Sequence, residues 1–258
     1  MDVFHKTGSA PAIATETRSL EWLGQATVSG GAPVAELVAE GNGWLETRML
    51  PPGTPSPAHA RRFGALLAHT HAAGAEFWGQ APPGLDPADA RLAELESPAV
   101  DSPTWQIWGA FFAEARLQPY LDASDLSGED AELVQRAVDR IATGELDAPQ
   151  PALVDGVARL HGDLWSGNVL WPEGQGTLID PSAHGGHAET DLAELGVFGA
   201  PHLTEILAGY DDVSRLADGW RDRIPMHQLH MLLVHVALFG DSYVQQSVAL
   251  ARQVLTAS

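Results

Sequence analysis

The spacing of apolar side chains divides the chain into a short mixed segment and a long helical one. Residues 3–6 read as a short strand, and residues 15–25 as a helix anchored by Ile13, Leu20 and Leu23. Residues 34–39 and 44–50 read as two strands flanking Glu40-Gly41-Asn42-Gly43, a hairpin-turn signal. The run Pro51-Pro52-Gly53-Thr54-Pro55-Ser56-Pro57 predicts a stiff linker. Ser56 and Pro57 then form an N-cap and first-turn pair for a helix reaching about Ala73, closed by Gly74. Residues 81–103, rich in Pro, Ala and Asp, predict a loop. Trp108, Phe111, Phe112 and Ala115 repeat at helical spacing within 104–121, and Leu133, Ala137, Val138 and Ile141 do so within 129–143. From 189 onward helical patterns return, with breaks predicted near Gly199-Ala200-Pro201, Gly209 and Pro225.

One piece between the helical blocks differs. Residues 160–186 carry six glycines and two short β-like runs, 168–171 and 177–179. A tight hairpin of polar character inside a helical region is more suited to holding a site than to filling a core.

Composition narrows the function. With Lys plus Arg at 14 and Asp plus Glu at 34, the chain of 258 residues carries a formal net charge of −20. It therefore lacks the basic footprint that nucleic acid or an anionic membrane surface requires. The absence of cysteine excludes disulfides, thiolate nucleophiles and Cys-based metal sites. The first ten residues lack the apolar core of a signal peptide, and the apolar run 229–239 is too short to span a bilayer. These features predict a cytoplasmic protein. Lys6 is the only lysine in the chain, a compact ammonium where every other fixed cation is arginine.

The candidate chemistry lies in the glycine-rich piece. Asp163 and Asn168 are five residues apart on a loop leading into the first β-like run, and Asp180 ends the second. A hairpin between them brings Asn168 and Asp180 to one end. Their oxygens suit Mg²⁺, and Asp163 beside them can orient a hydroxyl and accept its proton. With Lys6 for nucleotide phosphates, this is the set of parts that phosphoryl transfer needs. The histidine pairs 69/71, 184/187 and 227/230 show no third ligand at helix or hairpin spacing, so zinc is not expected.

The run His161-Gly-Asp-Leu-Trp-Ser-Gly-Asn168, followed by Ile179-Asp-Pro and Gly186-His-Ala-Glu-Thr-Asp-Leu-Ala193, resembles the fructosamine kinase (ketosamine 3-kinase) family. The stretches around Lys6, 16–23 and 108–117 resemble it too, so the likeness covers nearly the whole chain. It implies an α+β, protein-kinase-like fold of two lobes. Residues 1–50 would be a truncated nucleotide-binding β-lobe, 51–57 the linker and 58–258 a mainly helical catalytic lobe. It implies ATP and Mg²⁺ as cofactors and a small-molecule or protein-bound ketosamine as substrate. Lys6 would hold the nucleotide phosphates and pair with Glu16. Glu46, Thr47 and Arg48 would form the adenine hinge. Asp163 would be the base, Asn168 and Asp180 the metal ligands, and Trp165 a wall of the sugar pocket. His161 and Asp191 would support the loop. Aminoglycoside- or choline-type kinases and a silent nucleotide-binding protein are the alternatives. The family's glycine-loop hairpin, expected upstream of the lysine strand, has no room before Lys6. Either the start lies upstream of Met1 or this is a short form, whose exposed sheet edge would favour a homodimer.

Overall fold

A computed structural model describes residues 2–257; Met1 and Ser258, the outer limits of the two expected lobes, lie outside the described residues. Strands β1 (Val3–Thr7), β2 (Leu37–Gly41) and β3 (Trp44–Arg48) form an antiparallel sheet in the order β1-β3-β2. The β2–β3 turn falls at Asn42-Gly43, where Gly43 takes φ of 80°. Helix α1 (Ala10–Thr27) starts earlier than the apolar spacing predicts. Ser9 caps it by accepting from the Ala12 N–H, and Pro11 fits its first turn. Helix α2 (Pro57–Ala72) carries a capping box in which His59 replaces the usual acid: Ser56 Oγ accepts from His59 N, and His59 Nδ1 accepts from Ser56 N.

The segment 81–103, predicted as a loop, contains a hairpin of two-residue strands, β4 (Arg91–Leu92) and β5 (Leu95–Glu96). Such strands are too short to leave a periodic signal. Distant side chains hold the hairpin in place: Arg91 N donates to Thr15 Oγ1 of α1, and Ser182 Oγ donates to Arg91 O. The helix predicted over 104–121 begins only at Trp108. It runs as α3 (Trp108–Phe112), a π-helical turn (Ala113–Leu117) and α4 (Gln118–Asp122). Helix α5 (Gly128–Ala142) buries Val134, Ala137, Val138 and Ile141.

The central piece comprises β6 (Ala158–Leu160), β7 (Val169–Leu170), β8 (Thr177–Leu178) and β9 (His184–Gly186), with β7–β8 as one hairpin and β6–β9 as a second pair. Helices α6 (Glu189–Glu194), α7 (Leu203–Val213), α8 (Trp220–Phe239) and α9 (Val244–Thr256) complete the order. The predicted breaks at Gly209 and Pro225 do not occur. Gly209 lies within α7 and Pro225 within α8. Among the described residues no helix is long and apolar enough to cross a membrane.

Two apolar cores share the helical part. One joins α3 and α4 to α5, α8 and α9 through Phe111, Phe112, Leu117, Val138 and Leu233. The other joins α2 and α7 to the β6–β8 region through Phe63, Leu67, Leu160, Leu178 and Ile206. The second core positions the glycine-rich piece. There Gly64 and Gly209 set a close backbone crossing: a Cβ on Gly64 would overlap Ile206 O, and one on Gly209 would overlap Arg61 O.

Gly64→Ala and Gly209→Ala are each expected to lower stability by about 1–3 kcal/mol through overpacking at this crossing. Because both act on one contact, the double variant should lose less than the sum. Urea unfolding midpoints check both statements.

Candidate active site

The loop 161–168 is held by carboxylates from α6. Asp191, fully buried, accepts from His161 N at 2.7 Å and from Gly162 N at 3.0 Å. Its Oδ2 also accepts from His71 Nε2 at 3.1 Å, so His71 Nδ1 is left to accept from Tyr210 Oη at 2.9 Å. Burial alone would raise the Asp191 carboxyl; the hydrogen bond from His71, the neighbouring imidazoles of His71 and His161 and the His161 backbone donor outweigh it and hold the carboxyl low. One turn on, Glu194 accepts from Leu164 N at 3.1 Å and pairs with His230 Nδ1 at 2.7 Å. Sequence reasoning found Asp191 and missed Glu194. The signal was available, since residues three apart share a helix face.

His161 is a fixed part of this loop. Its Nε2 donates to Ile179 O at 2.9 Å, so its Nδ1 faces Asp163 N as an acceptor at 3.3 Å. Burial lowers its pKa and keeps the ring neutral. Gly162 needs to be glycine twice over. Its φ is 82°, and a Cβ would overlap Ser182 O.

The β7–β8 register, Val169↔Leu178 and Leu170↔Thr177, brings Asn168 and Asp180 to one end of the hairpin. Ile179 N donates to Asn168 O, closing that end. Asn168 Nδ2 donates to Asp163 O at 2.8 Å and to Asp163 Oδ2 at 3.0 Å. With both amide hydrogens thus directed, Asn168 Oδ1 is left without a partner among the described residues. Asp180 sits at φ of 52°, a strained position for a residue with a Cβ. An amide oxygen and a carboxylate oxygen at one hairpin end form a hard donor set that fits Mg²⁺. Burial, together with the charge of Glu194 and then those of Asp180 and Asp191, pushes the Asp163 carboxyl up to about 7 against the pull of Asn168. This local excess of negative charge also fits a cation.

Lys6 joins the two sides of the cleft. Its Nζ lies 2.7 Å from Glu16 Oε2 on α1 and 3.3 Å from Asp180 Oδ2. Burial works against its charge, but Glu16 and Asp180 prevail and raise its pKa. Glu16 and Asp180 line two spaces. One, about 250 Å³, also includes Lys6, Asp163, Arg91 and Glu94. The other, about 140 Å³, is lined by Phe4, Ala35, Thr47, Arg48, Met49, Leu50, Leu170 and Ile179. Of the expected hinge residues, two reach this second space. Thr47 and Arg48 line the second space together with Met49 and Leu50. Glu46 does not line it; its side chain lies 3.2 Å from His5 Nδ1.

Trp165 is half-buried over Gly167 and meets Phe198 edge-on, with ring centroids 5.9 Å apart. Phe198 continues to His235 at 4.8 Å, which contacts Phe239 and Tyr243. These aromatic residues beside the loop were not singled out from the sequence, because they come from three separate elements. The structure also gives a histidine pair a third neighbour that spacing did not reveal: His187, Glu189 and His227 offer ligand atoms within 4.8 Å of one another. Only part of this set is engaged: His227 Nδ1 meets Thr190 Oγ1, while His227 Nε2 lies 3.4 Å from Glu189 Oε2 and makes no hydrogen bond among the described residues. Arg223 binds both Glu189 oxygens, and His187 Nδ1 accepts from Glu189 N while its Nε2 donates to Ala148 O.

Residues 3–257 match the family model described as fructosamine kinase. The chain belongs to that family. An Escherichia coli protein named a probable ketoamine kinase is 34% identical over 251 residues, covering 92% of this chain and 80% of its own. An Enterococcus faecium protein similarly named is 34% identical over 140 residues, and that match spans 50% of the relative and 54% of this chain. A crystal structure from Thermobifida fusca, provisionally named a fructosamine-3-kinase, superposes with a TM-score of 0.85 at 37% identity, covering 99% of this chain and 86% of that one. A choline/ethanolamine kinase family protein from Mesorhizobium loti, 15% identical, covers 99% of this chain and 82% of its own with a TM-score of 0.61. The fold is thus α+β and protein-kinase-like.

Asp191→Ala would leave two backbone donors and His71 without their acceptor, at an expected cost of about 3–5 kcal/mol. Glu194→Gln keeps an acceptor for Leu164 N and should cost no more than about 1–2 kcal/mol. Chemical denaturation of both variants tests this ordering.

Proposed function

We propose that the chain is an ATP-dependent kinase acting on the sugar hydroxyl of a ketosamine, a fructosamine or ribulosamine borne by a small amine or a protein lysine. The reading rests most on one observation: Asp163 turns the Asn168 amide so that its free oxygen stands at the same hairpin end as Asp180. In this reading residues 1–50 serve as the nucleotide-binding lobe and 58–258 as the catalytic lobe, joined by the linker 51–57. The adenine occupies the apolar space beside Met49 and Leu170, and Lys6 meets the α- and β-phosphates. Asn168 and Asp180 hold Mg²⁺, which when bound neutralises charge on the phosphates. Asp163 orients the hydroxyl and takes its proton. The hydroxyl oxygen forms a bond to the γ-phosphorus as the bond to the β–γ bridging oxygen breaks, and that electron pair leaves on ADP. Trp165, with Phe198 and His235, supplies an apolar face for the sugar.

Family membership supports the reaction class, and the names of the Escherichia coli and Thermobifida fusca relatives support the substrate class. Phosphorylating a glycated amine suits deglycation repair in the cytoplasm.

Incubation with ATP, Mg²⁺ and a ribulosamine, followed by phosphorus NMR, should yield a sugar phosphate. No turnover at high enzyme would sink the reading. Asp163→Ala is expected to reduce kcat by about 10²–10⁴-fold. Trp165→Ala should mainly raise KM, as loss of a binding surface does; steady-state kinetics separate the two.

A further inference from the structure

The cleft beside Asp163 is lined by two cations, and they differ in how they are neutralised. Lys6 stands between Glu16 and Asp180. Arg91, on β4, has no carboxylate within 4.0 Å among the described residues. Its Nη1 donates to Ala88 O and Ala90 O, both at 2.9 Å, and no other guanidinium hydrogen has a partner among the described residues. A guanidinium can offer five donors, so this one keeps a set for an anion.

The backbone of Arg91 is the point at which the β4–β5 hairpin is fastened on both sides. Its N–H donates to Thr15 Oγ1, one residue from Glu16, and its carbonyl accepts from Ser182 Oγ, two residues after Asp180. The side chain is thus carried by a backbone fixed relative to both partners of Lys6. Within the two-residue turn, Glu94 accepts from Ser9 N at 3.2 Å. Hydrogen bonds from Ser9 lower the Glu94 carboxyl first, and the charges of Arg91 and Lys6 add to this, as expected where both cations lie on the same side. The turn holds Ala93 at φ of 53°, a conformation unfavourable for alanine. The short hairpin is therefore kept in a strained form at the wall of the cleft.

Resting on the kinase reading above, we propose that Arg91 binds the γ-phosphoryl group of ATP, supplying the cation that Lys6, shared between two carboxylates, cannot. The phosphoryl oxygens carry the charge that persists through the transfer, and planar guanidinium donors match two of them at once.

The test is calorimetric and uses the full chain with Mg²⁺ and no sugar acceptor, so it is independent of the ketosamine assignment. The dissociation constants of ADP and of the imido analogue of ATP are measured for wild type, Arg91→Ala, Arg91→Gln and Arg91→Lys. For the Ala and Gln variants the analogue should weaken by roughly tenfold or more, the loss expected for hydrogen bonds to a charged group, while ADP stays within about twofold. Lys should recover part of the loss, because it keeps the charge without the planar fork. Equal weakening of both nucleotides would make Arg91 a structural residue and overturn the proposal, as would no weakening of either. Gln retains most of the side chain and reads the same ratio if Ala fails to fold. A wild-type chain that binds neither nucleotide would instead sink the kinase reading itself, and this proposal with it.

Discussion

The loop that carries Asp163 has little regular structure of its own, and its shape depends on one buried charge. Asp191 has two oxygens and meets three donors: His161 N, Gly162 N and His71 Nε2. Backbone N–H groups at a tight glycine turn cannot pair with each other, and burying them unpaired is costly. A carboxylate solves this, but it must itself be paid for with partners. The chain Tyr210–His71–Asp191 supplies them from α7 and α2, the two helices whose glycines let them cross closely. The position of Asp163 thus follows from the α2–α7 packing through a single acid.

The same acid has an electrostatic consequence at the site. Asp191 and Glu194 secure the loop from beneath, and both place a carboxyl near Asp163, which is already burdened by burial and by Asp180; burial raises Glu194 itself, so the lasting negative charge is that of Asp191. Geometry and charge therefore pull in different directions. What fixes the loop also disfavours ionised Asp163 until positive charge arrives in the cleft. Lys6 cannot supply all of it, since Glu16 and Asp180 both draw on it. An arrangement of this kind favours a divalent cation at Asn168 and Asp180 on physical grounds, apart from any likeness to known kinases.

The parts legible in the sequence are those whose signals are local. The five-residue spacing from Asp163 to Asn168 and the short β runs locate the hairpin end, and Ser56-Pro57 marks the start of α2. Lys6 and Glu16, ten residues apart, meet as the likeness implied. What stayed hidden depends on partners far along the chain. Strands β4 and β5 have two residues each and exist because Thr15 and Ser182 hold Arg91 from outside. Gly209 reads as a helix breaker, yet in α7 it makes room for Arg61 O. Glu46 reads as part of the hinge, and its side chain meets His5, a partner 41 residues away on β1, outside the cavity that Met49 and Leu50 line. The metal-like grouping of His187, Glu189 and His227 was also invisible, since α6 and α8 bring it together only by packing; Arg223 takes up both oxygens of its one carboxylate.

The segment between α2 and α3 is thereby more than a connection. It fastens to α1 at Thr15 and at the Ser9 cap, and to the post-Asp180 loop at Ser182. Lys6 spans the same two elements through Glu16 and Asp180. Besides the direct bond from Ala183 N to Ser19 Oγ, an ionic tie and a tie of neutral hydrogen bonds through Arg91 therefore join α1 to the β7–β8 hairpin region. The ionic tie would be disturbed whenever a phosphate or a cation competes for Lys6 or Asp180. The neutral tie has no such competitor. It can keep α1 in register while the charges in the cleft are redistributed, and a cation carried on that tie keeps its place when the charges around Lys6 change.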